Sequence, residues 1–137
     1  MPSIEVNGGH VVYEILGDTG DLIVLTPGGR YGKDIPGLRP LAEALVKGGY
    51  RVLLWDRPNC GASDVQFYGQ TESHMRAETL RGLLTALDTG PCVIAGGSGG
   101  ARDSMLTAML YPELVRRLVL WNIVGGVYGT FNLGAFY

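Results

Sequence analysis

Residues Gly96 to Gly100 are the part of this sequence best suited to do chemistry. They read Gly-Gly-Ser-Gly-Gly, and they lie between the apolar run Cys92 to Ala95 and a predicted helix over 101–110. A G-x-S-x-G pattern between a strand and a helix presents its serine at a sharp turn, where small neighbours avoid clashes with both elements. Ser98 is therefore a candidate nucleophile for attack on a carbonyl carbon. The alternative is a serine that only caps the following helix.

The elements around this segment alternate between strand and helix patterns. Asn7-Gly8-Gly9 separates two β-rich runs and predicts a hairpin, while continuous apolar runs predict strands buried on both faces. Apolar residues at helical spacing predict helices between the strands. In chain order the predicted elements are a hairpin of 4–6 and 11–15, strand 22–25, a helix with Leu38, Leu41, Ala42 and Leu45, strand 51–55, a helix with Leu80, Leu83, Leu84 and Leu87, strand 92–95, helix 101–110 and strand 118–123. This alternation predicts an α/β fold with parallel strands and helices on both faces of the sheet.

Length and charge limit the classes of function. The chain has 137 residues and a formal net charge of −2, which favours one domain and gives no electrostatic reason to expect nucleic acid or a membrane as partner. Cys60 and Cys92 have no metal-ligand or redox spacing, so we expect no metal and no cofactor. The first residues carry no basic region followed by an apolar run, from which we expect a cytoplasmic location.

Three motifs together resemble the α/β-hydrolase superfamily, over about residues 4–123 and over the N-terminal half of its fold. Leu25 to Gly29 is similar to the His-Gly loop after the third strand, with Pro27 where the histidine normally stands. Asp56 to Ser63 is similar to the Asp-x-x-Gly-x-Gly-x-Ser loop, with Asn59 in place of a glycine. Gly96 to Gly100 matches the nucleophile elbow without exception.

The resemblance implies roles for individual residues. Ser98 would be the nucleophile, and the backbone N–H groups of Gly99 and Gly29 would hold the oxyanion. Arg30 is the alternative donor if the register of the loop slips by one residue. Arg30, Tyr31 and Trp121 are the candidate pocket residues for a small-molecule substrate.

The histidine and the acid of such a site are not found after Ser98. In this superfamily the triad runs serine, acid, histidine along the chain, whereas His10 and His74 both precede Ser98. Asp103 and Glu113 fall in or just after the elbow helix, where the acid is not expected. We therefore expect the acid and histidine to come from a C-terminal half or from a second polypeptide that completes the fold.

The uncharged, aromatic stretch 118–137 is consistent with this expectation. A transmembrane segment is one interpretation of it, but its glycines and polar residues interrupt the apolar run. A last strand followed by a pocket-lining segment explains the stretch better. We accordingly divide the chain into a core over 1–124 and the start of a cap or pocket-lining segment over 125–137.

The resemblance implies a serine hydrolase that cleaves a small, fairly apolar ester, a lactone or a carbon–carbon bond next to a ketone. A proline-iminopeptidase-like enzyme is also possible, although Pro27 to Arg30 does not reproduce that group's His-Gly-Gly-Pro-Gly. Serine at the elbow argues against the dehalogenase and epoxide-hydrolase branches, which have aspartate there. The alternative from another class is a form of the fold that binds a ligand without turnover.

Overall fold

Six strands form one mixed sheet in the computed structural model, which describes residues 2–123. The strands are β1 (Ser3–Val6), β2 (Gly9–Leu16), β3 (Leu22–Thr26), β4 (Arg51–Trp55), β5 (Cys92–Gly97) and β6 (Val115–Trp121). Their order across the sheet is β1-β2-β4-β3-β5-β6. The hairpin β1–β2 joins β4 in antiparallel fashion, and β4, β3, β5 and β6 run parallel. The predicted α/β fold with its hairpin and parallel strands is confirmed.

Helices cover both faces of this sheet, as predicted. Within residues 2–123 they are α1 (Leu38–Lys47), α2 (Glu72–Ala86) and α3 (Gly99–Leu110), with a 3₁₀ turn over Pro112–Leu114. Alternate residues of each buried strand point to opposite faces, so the sheet has two cores. On one face Val24, Leu53 and Ile94 pack with Leu80 and Leu83 of α2. On the other face Leu25 and Leu54 pack with Leu38 and Ala42 of α1.

The last strand starts and ends earlier than predicted. It was expected over 118–123, but β6 pairs with β5 from Val115, opposite Cys92, to Trp121, opposite Gly97. The 3₁₀ turn places Val115 directly beside β5, so pairing begins before the most apolar residues are reached. The predicted core over 1–124 includes residues 1 and 124, which lie outside the described residues, as does the whole predicted segment 125–137. No helix among the described residues is long and apolar enough to cross a membrane.

The parallel pairing brings two loops together at one edge of the sheet. Thr26, the last residue of β3, lies opposite Gly96 of β5. The segment that follows Thr26 therefore leaves the sheet next to the segment that follows Gly97. Crevices at the carboxyl ends of adjacent parallel strands are where α/β folds bind ligands.

A cluster of charged groups anchors the segment between β3 and α1. The Lys33 side chain is buried, and its Nζ lies 3.3 Å from Glu14 Oε1 and 3.1 Å from Asp34 Oδ2. Arg39 of α1 donates two hydrogen bonds of 2.7 Å to the same Glu14 carboxylate. The hydrogen bond from Arg39 and the neighbouring Lys33 lower the pKa of Glu14 from 4.5 to about 2. Glu14 on β2 thus holds Lys33, in the middle of the segment that leads from β3 to α1, and Arg39, in the first turn of α1.

This shifted pKa predicts a pH dependence of stability. Because the folded-state pKa is depressed, the stabilisation is complete above pH 4.5 and is lost as the pH falls towards about 2. Glu14→Gln should lower the free energy of unfolding at pH 7 and flatten its decline between pH 5 and 2, measured by urea denaturation. The control Glu43→Gln removes an exposed carboxylate of α1 and should keep the wild-type profile. A profile of Glu14→Gln parallel to that of the wild type would contradict this assignment.

Candidate active site

Ser98 occupies a strained turn between β5 and α3. Its backbone has φ 55° and ψ −122°, a conformation that residues with a Cβ rarely adopt and that costs about 1–3 kcal/mol. Two hydrogen bonds hold the turn: Ser98 N–H donates to the Trp121 carbonyl of β6 at 3.1 Å, and Ala101 N–H donates to the Ser98 carbonyl at 3.0 Å. The neighbouring strand and the first turn of α3 therefore maintain this backbone strain.

The glycines around Ser98 are required by close packing. A Cβ on Gly96 would overlap the Gly100 carbonyl, and one on Gly100 would overlap the Thr26 carbonyl of β3. A Cβ on Gly97 would overlap the Trp121 indole. Gly99 has more room, since its Cβ would lie 3.3 Å from the nearest atom, the backbone nitrogen of Gly29. Gly96 and Gly100 thus let β5, α3 and the end of β3 approach one another, and Gly97 makes room for the Trp121 side chain of β6.

The Ser98 side chain is exposed and makes no capping hydrogen bond to α3. The simple capping role considered above is therefore absent. The side chain lies in a cleft of about 430 Å³ at the carboxyl edge of the sheet. The cleft is lined by Thr26, Pro27, Gly28, Gly29, Tyr31, Ile35, Pro36, Gly37, Leu38, Leu41, Gly97, Ser98, Trp121 and Asn122. Among residues 2–123, no charged side chain lines it.

The segment after β3 lies directly against the elbow. A Cβ on Gly28 would be 3.0 Å from the Ser98 Cβ and 3.3 Å from the Gly99 nitrogen. Gly29 has φ 54° and is the second residue of a turn in which Tyr31 N–H donates to the Gly28 carbonyl at 3.3 Å. The structure thus brings Gly29, Gly99 and Ser98 together, as the sequence predicted. Their chemical roles stay predictions.

The three candidate pocket residues differ in position. Tyr31 and Trp121 line the cleft, and both side chains are exposed. Arg30 is not among the lining residues, and its Nη1 lies 3.0 Å from Glu72 Oε1 at the start of α2. Arg30 is therefore held beside the cleft by α2.

The loop after β4 supports the segment that follows β3. Asp56 accepts hydrogen bonds from Lys33 N–H at 2.6 Å and from Ala62 N–H at 2.9 Å. Ser63 donates to the Asp56 carbonyl at 2.6 Å and accepts from Val12 N–H at 2.8 Å, so its hydroxyl is fully engaged. These contacts explain the Asp and Ser of this motif as structural residues. Asn59, which replaces a motif glycine, takes the positive φ of 68° that asparagine tolerates.

Arg57 is a residue of this site that the sequence reasoning missed. Its side chain is completely buried, and Nη2 donates to the carbonyls of Gly28 at 3.1 Å, Gly29 at 2.8 Å and Tyr31 at 3.2 Å. Nη1 donates to Asp103 Oδ2 of α3 at 3.0 Å. Burial raises the pKa of Asp103 above its usual value, against the opposing effect of the guanidinium groups of Arg76 and Arg57. One signal was available in the sequence: an arginine directly after a continuous apolar strand and an aspartate.

Neither histidine contacts Ser98. His10 is exposed on β2, with Nδ1 3.4 Å from Asp64 Oδ2. His74 lies in the first turn of α2, with Nδ1 3.2 Å from Glu78 Oε1. Within the described part of the chain, no side chain forms a hydrogen bond with the Ser98 hydroxyl. The expectation that the base is not one of these two histidines is consistent with this geometry.

Comparison with known proteins identifies the fold. No family model matches the chain. The 2-hydroxy-6-oxononadienedioate/2-hydroxy-6-oxononatrienedioate hydrolase of Burkholderia vietnamiensis is 37% identical over 87 residues, which are 64% of this chain and 30% of that protein. A thermophilic esterase from Thermogutta terrifontis superposes with a TM-score of 0.76 at 25% identity, covering 88% of this chain and 45% of the esterase.

The chain has the fold of the α/β-hydrolase superfamily, to which its solved neighbours and its sequence relatives belong. An enol-lactonase from Burkholderia xenovorans LB400 has the same fold, with a TM-score of 0.76 at 24% identity over 85% of this chain and 45% of the lactonase. The resemblance inferred from the three motifs is confirmed. This α/β-hydrolase chain spans about a third of the relative's length and just under half of the two solved chains, and it corresponds to the N-terminal half of their fold.

The strained turn predicts an unusual response to substitution. Ser98→Gly removes the Cβ that makes φ 55° unfavourable, whereas Ser98→Ala keeps it. Ser98→Gly should be more stable than Ser98→Ala by about 1 kcal/mol in urea denaturation, since strain relief exceeds the entropic cost of glycine. The control Ala108→Gly, in the middle of α3, should lose about 1 kcal/mol. If both glycine variants were destabilised equally, the turn would not be strained.

Proposed function

We propose that this chain supplies the nucleophile and the oxyanion hole of a serine hydrolase that acts on a carbonyl compound. The observation that carries the proposal is the exposed Ser98 hydroxyl on a strained turn, with the backbone nitrogen of Gly29 beside the elbow. Backbone N–H groups aimed at a developing oxyanion are a principal source of transition-state stabilisation in acyl transfer. Gly99, directly after the nucleophile, and Gly29 are the two proposed donors.

The reaction would proceed through a covalent intermediate. The Ser98 Oγ bonds to the carbonyl carbon while a base takes the hydroxyl proton. The carbonyl oxygen becomes the oxyanion that the two N–H groups stabilise. The scissile bond then breaks, the leaving group takes the proton from the base, and water releases the acid and restores Ser98.

The cleft supports a small and fairly apolar substrate. Its side chains include Ile35, Leu38, Leu41 and Trp121, which would hold an aliphatic or aromatic group next to Ser98. The relative's name describes a hydrolase of an oxo-dienedioate, and the solved neighbours include an esterase and an enol-lactonase. Esters, lactones and ketones with a cleavable carbon–carbon bond therefore remain the proposed classes. A dicarboxylate would need a cation, and no charged side chain lines the described part of the cleft.

We propose that the histidine and the acid come from polypeptide beyond the described residues, either a C-terminal half or a second chain. Ser98 needs a base, and His10 and His74 are engaged with Asp64 and Glu78. β6 pairs with β5 on one side, and Val119 and Trp121 of β6 are exposed. Further strands added at this edge would cover these side chains and bring the carboxyl ends of new strands towards Ser98. The cytoplasmic location expected from the sequence stays a prediction.

A fluorophosphonate probe tests this function in the assembly that includes the proposed histidine-bearing part. The probe should label one serine, and Ser98→Ala should abolish the labelling, measured by intact-protein mass spectrometry and peptide mapping. Ser73→Ala, a serine on α2 away from the elbow, should be labelled like the wild type.

Two results would contradict the proposal. Labelling that survives in Ser98→Ala would move the nucleophile to another residue. No labelling of the wild-type assembly would favour the non-catalytic, ligand-binding alternative.

A further inference from the structure

The buried Arg57 guanidinium has an arrangement that stability does not explain. A buried ion pair is often no more stabilising than apolar side chains of similar volume, because both charges lose their hydration. Arg57 is nevertheless fully buried, and its Nη2 donates hydrogen bonds to three carbonyls of the segment after β3. This concentration of contacts on one short segment suggests a role in fixing its backbone.

The planarity of the peptide bond shows what the guanidinium does to this segment. In a trans peptide, the carbonyl of one residue and the N–H of the next point in opposite directions. Because the Gly28 carbonyl is turned towards Arg57, the Gly29 N–H is turned away from it. The Gly29 nitrogen lies 3.3 Å from the position that a Cβ on Gly99 would take, so that side faces the elbow.

The next peptide follows the same rule. The Gly29 carbonyl accepts from Arg57 at 2.8 Å, so the Arg30 N–H also points away from the guanidinium. One side chain therefore contacts the peptides of both candidate donors, Gly29 and Arg30, and Tyr31 N–H adds a second hydrogen bond to the Gly28 carbonyl. The inference holds for either register of the oxyanion loop.

The other end of the guanidinium is attached to the nucleophile's own helix. Arg57 Nη1 donates to Asp103 Oδ2, and Asp103 lies on α3, five residues after Ser98. Arg76 of α2 also approaches this carboxylate, with Nη1 at 3.5 Å, and it is linked to the segment after β3 only indirectly, because Glu72 pairs with both Arg76 and Arg30. Among the described residues, Arg57 thus joins the segment after β3 directly to the elbow helix, while Arg76 joins α2 to α3.

We propose that Arg57 is the positioning residue of the oxyanion hole, aligning the Gly29 N–H with the oxyanion formed at Ser98. The inference rests on the proposed function of Ser98. Pro27 stands at the histidine position of the His-Gly loop that this segment resembles, and it has neither a side-chain donor nor an N–H. Arg57 holds the segment from the loop after β4, through three of its carbonyls.

The test compares Arg57→Met with Arg76→Met in the assembly that fluorophosphonate labels. With 4-nitrophenyl butyrate as substrate, Arg57→Met should lower kcat about 100-fold with little change in KM, the loss typical of an oxyanion-hole donor. Arg76→Met removes an equally buried arginine from the same carboxylate and should keep kcat within a few fold. Arg57→Lys should recover part of the lost kcat, because its ammonium group can still donate hydrogen bonds. The recovery should be incomplete, because this group reaches fewer of the three carbonyls than the guanidinium does.

A pair of ketones separates positioning from general damage. The Ser98 oxygen should add to the carbonyl carbon of 1,1,1-trifluoro-2-octanone, and the carbonyl oxygen then becomes an oxyanion in the proposed oxyanion hole. In contrast, 2-octanone should bind without reacting. Arg57→Met should weaken the trifluoroketone about 100-fold and leave 2-octanone unchanged. Arg76→Met should change neither.

Three outcomes would overturn the inference. The first is an equal decrease of kcat in Arg57→Met and Arg76→Met. The second is an increase of KM in Arg57→Met with kcat unchanged, and the third is an unchanged affinity of Arg57→Met for the trifluoroketone. If Arg57→Met fails to fold, Arg57→Lys decides by the same ketone comparison. If the probe labels Ser98 in the wild type and one of these outcomes is found, only the role of Arg57 is contradicted. If the probe does not label the wild type, the proposed function of Ser98 and the role of Arg57 are both contradicted.

Discussion

The close approach of two loops, after β3 and after β5, is the constraint on which the rest of the structure depends. Parallel pairing sets Thr26 opposite Gly96, and the Thr26 carbonyl occupies the space where a Gly100 side chain would stand. The first turn of α3 can then begin directly against the end of β3. The strained backbone of Ser98 is maintained because it forms hydrogen bonds with β6 and with the first turn of α3. The cleft and the candidate donors follow from this contact.

A second layer of contacts keeps the approaching loop in place. Asp56 holds the Lys33 and Ala62 N–H groups, and Arg57 holds three carbonyls nearer to Ser98. Both residues belong to the loop after β4, which lies next to β3 in the sheet. Residues 56 and 57 thus bind one N–H group and three carbonyls of the segment after β3, whereas the N–H groups of Gly29 and Arg30 have no hydrogen-bond partner among the described residues. This division of the backbone is what an oxyanion hole requires.

Much of this arrangement could be predicted from the sequence, for a local reason. Strand, turn and helix patterns are read over a few residues, and the glycines that the elbow requires stand next to the serine that they serve. The boundaries of β6 were harder to predict, because they depend on pairing with Cys92 and Gly97 rather than on apolarity. The Arg57–Asp103 pair joins residues 46 positions apart. Such a contact depends on where α3 and the β4 loop meet, which no local pattern encodes.

In the proposed function, the fold and the chemistry depend on different parts of the polypeptide. Residues 2–123 build the turn at Ser98, the adjoining segment after β3 and a cleft that no charged side chain of these residues lines. The proposed proton transfer requires a base, and these residues bring none to Ser98. In a cleft that no described charged side chain lines, backbone N–H groups are the donors proposed to stabilise a newly formed negative charge. Under this proposal, residues 2–123 supply the nucleophile and the oxyanion donors, and other polypeptide supplies the base.

The most direct test of this account is the crystal structure of the fluorophosphonate adduct of the complete assembly. The account predicts a bond from Ser98 Oγ to phosphorus and a phosphoryl oxygen 2.7–3.1 Å from the nitrogens of both Gly29 and Gly99, at about the distances that oxyanion donors keep. It also predicts that Arg57 keeps its contacts with the Gly28 and Gly29 carbonyls. A phosphoryl oxygen that faces solvent, or that contacts neither glycine nitrogen, would contradict it.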